Sequence, residues 1–478
     1  MNKKISVITA ILLSISIICV NSATLTVPSP YATVQAALNA AAPGDTILPD
    51  AGSYAEQVIT MTNGTSSNPI TLNGVNGVTL QQIHLRHQYY RIINCTIMGP
   101  VDWYENLVYF DHNAHFCVLS NNTVNLNSAI NTYGIGWRTP LAQSKPFGTG
   151  QVGSDNLIIS NTVKNGRAYI LMSVMGDRNI IHGNLLTNSP NVDFFRLFGR
   201  SNIIRGNICV NSSVLEGLGN HPDFIQTFGN NGDGSYGHII ENNIVSNLEG
   251  AQISQLEGNL LPSIGNWTFK NNLFMDIAFQ ASCTIPDVKY YNNTFIRCNY
   301  LNGGHALTFS ERVYQSFSTW DGSTGTNYAH NIDIKNNIFV DCGNSLTNRG
   351  WYGFSGTLTN LSADYNYVSK FNYNPVKQDV QQRDIGSPGG WDTFGWWEDH
   401  GINGGNPSFV NTNTSNYRLL NTSFIKDVGY PFTNIVTVDF DGISRPQGSG
   451  WSIGAFEPVL GSHYSRRIRI VQFQFINP

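Results

Sequence analysis

The amino-acid sequence predicts an all-β protein, a right-handed parallel β-helix (single-stranded solenoid) with an N-terminal capping helix. One observation behind this prediction is a short phrase that recurs along the chain. It consists of an apolar pair, one or two polar residues, one or two asparagines, then apolar-x-apolar, as in NIIHGNLL from Asn179 and NIIRGNIC from Asn202. The other is that apolar residues alternate with period two, whereas helical repeats would show a stripe with a period of about 3.6 residues.

The spacing of the phrase gives the size of one coil. From the asparagine of one copy to that of the next, the steps are 39, 23, 23, 36, 29, 21, 44 and 29 residues. The shortest steps are one turn of the solenoid, and the longer ones contain an insertion. In a stack of coils each asparagine can bond the backbone of the next coil. We therefore expect eight or more coils and one asparagine column, formed by Asn122, Asn161, Asn184, Asn207, Asn243, Asn272, Asn293 and Asn337.

An alanine-rich amphipathic segment precedes the repeats. It reads TVQAALNAAAPGDTI from Thr33 and is closed by Pro43-Gly44. An open solenoid end exposes strand edges and apolar core, so it requires a cap. We predict a capping helix in this segment.

Composition bounds the class of protein. The chain has 478 residues, of which 12% are charged and 12% aromatic, and no Pro-rich or charged linker divides it. Disordered chains show the opposite balance, so this chain folds. The net charge is −4 and no basic block occurs before the last dozen residues. A nucleic-acid partner would require such a block, so we expect none.

The N-terminus has the pattern of a signal peptide. Two lysines precede an apolar run from Ile5 to Val20, and small residues follow up to Ser22. The run is short for a spanning helix and no second hydrophobic stretch accompanies it. We predict a signal peptide over residues 1–22, no membrane span, and a secreted protein that is extracellular or on the cell surface.

Six cysteines remain after that cleavage. Their wide spacing fits neither a dense disulfide framework nor a zinc site. We expect small apolar core residues, with disulfides as the alternative, at Cys95, Cys117, Cys209, Cys283, Cys298 and Cys342.

Both ends of the predicted solenoid resemble known proteins. The stretch from Tyr31 to Gly74 resembles the opening of bacterial β-helix polysaccharide lyases, the chondroitinase B and alginate lyase group of the pectate-lyase-like superfamily. The stretch from Asn406 to Pro458 resembles the closing module of many secreted bacterial β-helix proteins. The resemblance implies one β-helix domain over residues 23–458, with the closing module at about 406–458. Residues 459–478 match neither module, and their role stays open.

Three central segments align by their closing glycines: DFFRLFG from Asp193, DFIQTFG from Asp223 and QISQLEG from Gln252. Period-two alternation places three rows on the outer face. The rows are Phe194, Phe224 and Ile253; Arg196, Gln226 and Gln255; and Phe198, Phe228 and Glu257. Aromatics, amides and charges on a flat sheet are typical of a sugar-binding groove.

This groove is the predicted substrate site. Asp193, Asp223 and Gln252 lie at the turns that enter the three strands. The alternative is that an inserted loop covers the aromatic side chains while the amides only stack on one another. We predict substrate contacts from Phe194, Gln226, Phe224, Gln255, Glu257 and Asp193.

His221-Pro222-Asp223 is the sharpest local combination of titratable residues. Proton abstraction beside a uronate carboxylate requires a base and a cation that stabilises the enolate. His221 is the candidate base, Arg196 the candidate cation, and Asp223 the residue that orients the imidazole. The alternative is a turn histidine bonded to the backbone. In the lyases that the chain resembles, Lys or Arg usually performs these tasks, with or without calcium, and the central strands show no such lysine.

These observations leave three functions open. The first is a polysaccharide lyase, or a related epimerase, that acts on an acidic, uronic-acid-containing polysaccharide. The second is a non-catalytic cell-surface adhesin or glycan-binding β-helix. The third is a glycoside hydrolase, for which Asp193 with Asp223, or Asp223 with Glu257, could supply the carboxylates. We expect a monomer.

Calcium is the one cofactor that the sequence leaves open. Asp193, Asp223 and Asp233 could supply oxygen ligands, but no calcium-loop spacing is visible. We therefore assign no metal ligand.

Overall fold

The structure, a computed structural model, describes residues 22–99, 105–128, 133–137, 152–167, 169–213, 222–228, 234–257, 264–301, 306–313, 326–342, 352–355, 359–369 and 398–458. It confirms the predicted fold. Nearly all strands belong to one sheet of 34 strands that winds around the molecule as a right-handed parallel β-helix.

The strands are short, and most have three to six residues. The first part of the chain contains β1 (Thr24–Val27), α1 (Val34–Ala40), β2 (Thr46–Pro49), β3 (Gly52–Ile59), β4 (Ile70–Leu85), β5 (Tyr90–Ile97), β6 (Asn106–Phe110), β7 (Val118–Ser120), β8 (Thr123–Asn125), β9 (Tyr133–Trp137), β10 (Leu157–Ile159), β11 (Thr162–Lys164) and β12 (Tyr169–Val174). The middle contains β13 (Ile180–His182), β14 (Leu185–Thr187), β15 (Val192–Leu197), β16 (Gly199–Arg200), β17 (Ile203–Arg205), β18 (Ile208–Ser212), β19 (Asp223–Thr227), β20 (Ser235–Tyr236), β21 (Ile239–Glu241), β22 (Ile244–Leu248), β23 (Gln252–Leu256), β24 (Ile264–Gly265), β25 (Thr268–Lys270) and β26 (Leu273–Ile277). The last part contains β27 (Ala281–Cys283), β28 (Lys289–Tyr291), β29 (Thr294–Cys298), β30 (Leu307–Val313), β31 (Thr326–Tyr328), β32 (His330–Lys335), β33 (Ile338–Val340), β34 (Tyr352–Ser355), β35 (Thr359–Asp364), β36 (Tyr367–Ser369), β37 (Ile402–Asn403), β38 (Phe409–Asn411) and β39 (Asn416–Leu419).

Each central coil contributes three strands to the main sheet, and each strand pairs in parallel with its counterpart in the next coil. Thus β13, β14 and β15 pair with β17, β18 and β19. We call the face formed by β6, β9, β12, β15, β19, β23, β27 and β30 the groove face.

The coils bend at corners where one residue has a positive φ. Asparagine tolerates this left-handed conformation better than most residues, which explains much of the asparagine content. The corner before the asparagine column, for example, contains Asn121, Asn242, Asn271, Asn292 and Asn336, with φ between 52° and 58°.

The predicted asparagine column is confirmed. In each coil the side-chain Oδ1 accepts the backbone N–H of the asparagine in the preceding coil, as Asn207 does from Asn184 at 2.9 Å. The same bond links all eight predicted asparagines and continues to Asn366. The column ends at Glu398, whose carboxylate accepts the backbone N–H and the Nδ2 of Asn366, both at 2.9 Å.

A second, shorter ladder runs through Asn156, Asn179 and Asn202, and a histidine takes the next position. His238 Nδ1 accepts the backbone N–H of Asn202 at 3.1 Å, so the ring proton belongs on Nε2, which faces Ser235 Oγ at 3.3 Å. Complete burial lowers the pKa of His238 to about 3. The imidazole is therefore neutral in the folded protein at ordinary pH.

This histidine should make the stability of the protein sensitive to acid. Below its ordinary pKa of about 6.5, His238 is protonated in the unfolded chain but not in the folded one, so acid favours unfolding. The free energy of unfolding should fall by up to about 1.4 kcal/mol per pH unit between pH 6.5 and the folded-state pKa. His238→Asn restores the asparagine of the ladder. Unfolding of this variant should take up about one proton fewer, so its free energy of unfolding should depend less on pH.

Urea unfolding at pH 7, 6 and 5 measures both slopes. His182→Asn, which replaces a partly buried histidine outside the ladder, is the control and should follow the wild type. An unchanged slope in His238→Asn would contradict the assignment.

The interior is apolar and its rings stack from coil to coil. Phe274, Phe295 and Phe339 are parallel, with centroid separations of 5.0 and 4.8 Å. All six cysteines are buried and free, so the expectation of small core residues is confirmed.

The N-terminal end of the coils and one flank of the last coils are covered. The predicted capping helix is present as α1, which buries Val34, Ala37 and Leu38, and its first N–H groups donate to the Glu56 carboxylate. Residues 398–458 pack on outward aliphatic side chains of the last coils, among them Leu273 and Ile338. In the part of the chain that is described, no helix is long and apolar enough to cross a membrane.

Candidate active site

The groove face places the predicted polar row in register. Arg196 pairs with Gln226 across β15 and β19, and Gln226 pairs with Gln255 across β19 and β23. The row continues to Ser173 on one side and Ser282 on the other. The alignment by closing glycines therefore gave the correct register for these strands.

The prediction that Phe194 and Phe224 face outward is wrong. Both side chains are fully buried in the main core cluster together with Phe195 and Ile225, their neighbours in sequence. Two consecutive residues thus point inward in each strand, so period-two alternation breaks at this position. Phe194 and Phe224 contribute to the core and cannot stack on a sugar.

The same break occurs in the neighbouring coils. Leu171 and Met172 of β12 are both in the core, and Ile253 of β23 is buried beside Ser254. The strands therefore bend together. Only the residues after the bend keep the predicted outward row.

Arg196 and Asp193 form the ion pair of the site. Arg196 Nε donates to Asp193 Oδ2 at 2.7 Å, and Asp193 Oδ1 accepts the backbone N–H of Asp223 at 3.0 Å. Asp193 is almost buried, whereas the Arg196 side chain is 27% exposed. Asp193 thus orients the guanidinium through Nε, and within the described part of the chain neither Nη group makes a hydrogen bond.

The amides beside this pair form a polar floor. Gln255 Nε2 donates to Glu257 Oε1 at 2.6 Å, and Gln252 Nε2 donates to Gln255 Oε1 at 3.4 Å. Gln226 is 6% exposed, and its Oε1 has no hydrogen-bond partner among the described residues. A buried acceptor without a donor is costly, which favours a ligand hydroxyl or a water at this position.

The aromatic ring that accompanies Arg196 is Phe228, from the third predicted row. The Arg196 Cζ lies 5.7 Å from the centre of the Phe228 ring, and Phe198 contacts the same ring edge-on at 5.1 Å. Phe228 is only partly buried. It occupies the place in the site that the sequence analysis gave to Phe194 and Phe224.

The candidate base, His221, and one of the three candidate calcium ligands, Asp233, lie outside the described residues. Asp223, two residues after His221, is fully buried at the start of β19. Within the described ranges, no group of three or more His, Cys, Asp or Glu residues is close enough together to hold a metal ion.

Comparison with known proteins gives similar structures only. No family model and no curated protein sequence matches the chain. Pectate lyase Pel9A has 14% identity and a TM-score of 0.48, and the alignment covers 92% of this chain and 97% of that one. The PL6 family polysaccharide lyase Pedsa3628 from Pseudopedobacter saltans has 12% identity and a TM-score of 0.48, with coverage of 84% and 97%. Alginate lyase AlyF-OU02, solved with G6, has 12% identity and a TM-score of 0.47, with coverage of 92% and 94%.

These proteins are polysaccharide lyases by their names. The parallel β-helix fold of this chain is shown by its own strand register and does not depend on these likenesses.

Proposed function

We propose that the protein is a secreted polysaccharide lyase, or a related epimerase, that binds a uronic-acid-containing polysaccharide along the groove face. The observation that supports this most is the oriented, partly exposed Arg196 in a row of neutral polar side chains. A single cation in such a row suits one carboxylate per sugar unit, and the neighbouring amides suit sugar hydroxyls.

Elimination requires that the proton next to the uronate carboxylate be removed. Arg196 would pair with that carboxylate and stabilise the enolate, while His221 would accept the proton and Asp223 would orient the imidazole. Loss of the proton and of the leaving oxygen then yields a carbon–carbon double bond. An epimerase would share the first step and return the proton to the other face.

The environment of Asp193 does not favour the hydrolase alternative. Both oxygens of Asp193 are engaged, one by Arg196 and one by the backbone of Asp223. A general acid or nucleophile must instead face the substrate. Asp193 therefore acts as a positioning residue in this proposal.

A screen of the purified protein on alginate, pectate and chondroitin tests the proposal. We expect an increase in ultraviolet absorbance from the new conjugated double bond with at least one polymer, or a change of uronate stereochemistry by NMR if the protein is an epimerase. Glycan binding without either change would favour the non-catalytic alternative. New reducing ends without a double bond would favour a hydrolase.

His221→Ala tests the role of His221 as the base independently of the other residues of the site. A positioned general base typically contributes about 10²–10⁴-fold, so turnover should fall by such a factor while the melting temperature changes little. Wild-type turnover in His221→Ala would remove this residue as the base.

A further inference from the structure

The corner that follows the groove-face strands contains large side chains at an unfavourable backbone position. One residue per coil has a positive φ in this row. Its members are Tyr89, Phe116, Asp155, Arg178, Ser201, Gly237, Asn266, Asp287, Asn331 and Asn360. From Ser201 onward the row contains only small residues, Asn and Asp, which tolerate this conformation. Tyr89, Phe116 and Arg178, with φ of 57°, 58° and 55°, do not fit that pattern.

Large residues in this conformation cost of order 1 kcal/mol or more, so a compensating contact is expected. Tyr89 and Phe116 stack on each other with centroids 5.0 Å apart and planes at 12°. Stacking covers one face of each ring, and Phe116 remains 44% exposed. The pair is therefore an aromatic platform that faces solvent.

Basic and aromatic side chains continue along the same corner. Arg178 makes two bonds of 2.7 Å to Asp155 in the preceding coil and is still 59% exposed. Arg200 pairs in register with Tyr236, both are exposed, and Tyr236 has 39% of its surface accessible. We call Tyr89, Phe116, Arg178, Arg200 and Tyr236 the edge strip.

The edge strip runs parallel to the groove and close to it. Arg200 lies four residues after Arg196, just past the end of β15. From Phe116 to Tyr236 there are four coil steps, or about 19 Å at a strand spacing of about 4.8 Å. The strip thus presents rings at both ends and two arginines between them, and all of these side chains except the partly buried Tyr89 are exposed.

We propose that the edge strip is a second binding surface for the same acidic polysaccharide, outside the groove. The faces of the sugar rings would pack on Phe116 and Tyr236, and carboxylates would pair with Arg178 and Arg200. This deepens the proposed function, because a surface beside the groove would retain a long polymer between turnovers.

Two substitutions remove rings of the edge strip but keep the backbone conformation of the corner. Phe116→Asn and Tyr89→Asn install the residue that other coils use at this position, so the melting temperature should stay the same or rise. Binding of polygalacturonate or alginate should weaken about five- to tenfold in the double variant, because a ring contact is lost. Arg200→Gln should weaken binding of these polymers but not of a neutral polysaccharide. Asp287→Asn, in the same row but far from the strip, is the control and should bind as the wild type does.

The results of these binding and activity measurements distinguish the edge strip proposal from the proposed function of the groove. If the double variant and Arg200→Gln bind acidic polymers as tightly as the wild type, the edge strip is overturned, whether or not elimination occurs. If the wild type shows neither elimination nor a change of uronate stereochemistry but its binding depends on these residues, the strip stands and the proposed function fails. If the wild type binds no acidic polymer, both fail.

Discussion

Asn207→Leu should lower the free energy of unfolding by roughly 3–6 kcal/mol, a large effect for one residue. The Asn207 side chain accepts the backbone N–H of Asn184 at 2.9 Å and donates to the carbonyl of Ile181 at 3.0 Å. It also donates to Asn243 Oδ1 at 3.0 Å. Leucine has a similar volume but makes none of these side-chain bonds, so the buried Asn184 N–H and Nδ2 lose their acceptor and the Ile181 carbonyl loses a donor. Each buried group that loses its partner costs about 1–3 kcal/mol.

Chemical denaturation measures this effect, with Asn188→Gly as the control. Asn188 is exposed, its φ is 55°, and among the described residues its amide bonds only to Asn165. Glycine tolerates that φ, so the control should lose no more than about 1 kcal/mol. If both variants unfolded at the same denaturant concentration, the hydrogen bonds of the asparagine column would not be the main polar contribution to the stability of the coils.

The second large effect is expected in catalysis. Arg196→Ala should lower kcat/KM on uronate polymers by about 10²–10³-fold, the usual loss when one stabilising donor is removed from a transition state. Arg196→Lys should recover only part of it, because the three N–H donors of lysine lie on one nitrogen and cannot bond Asp193 and also present a planar fork to a carboxylate.

The control for this experiment is another arginine–aspartate pair. Arg418 bonds to Asp441 through Nε and Nη2, both at 2.6 Å, in the C-terminal segment. Arg418→Ala should leave turnover unchanged at a temperature where the variant is folded. Because Arg196→Ala also leaves the nearly buried Asp193 without its cation, its melting temperature must be recorded in parallel. Turnover by Arg196→Ala equal to that of the wild type would exclude Arg196 as the carboxylate partner.

The sequence was sufficient for the coil and its register because these depend on spacing. Asparagines recur at fixed intervals between alternating apolar residues. Stacking them coil on coil is the one arrangement that gives each amide its hydrogen bonds, and Asn207 has this arrangement. The row of Arg196, Gln226 and Gln255 followed from the same spacing.

The orientation of individual side chains was harder to predict. Phe194 and Phe195 are both apolar, so a bend that turns both inward leaves no break in the hydrophobic pattern. The useful signal was the apolar pair at this position in three successive coils: Leu171-Met172, Phe194-Phe195 and Phe224-Ile225. The edge strip was not foreseen, because a tyrosine or phenylalanine gives no indication of a positive φ.

The asparagine column has an electrical polarity along the solenoid. In every coil Oδ1 accepts from the N-terminal neighbour, and one Nδ2–H donates to Oδ1 of the C-terminal neighbour while the other bonds to a backbone carbonyl of the preceding coil. The amide dipoles therefore add head to tail, and such chains of hydrogen bonds polarise one another. The positive end is at Asn366, where the Glu398 carboxylate supplies the complementary charge, as an anion does at the N-terminus of an α-helix. Extra coils could thus be inserted within the column at little electrostatic cost, whereas a coil added after Glu398 would bury a carboxylate.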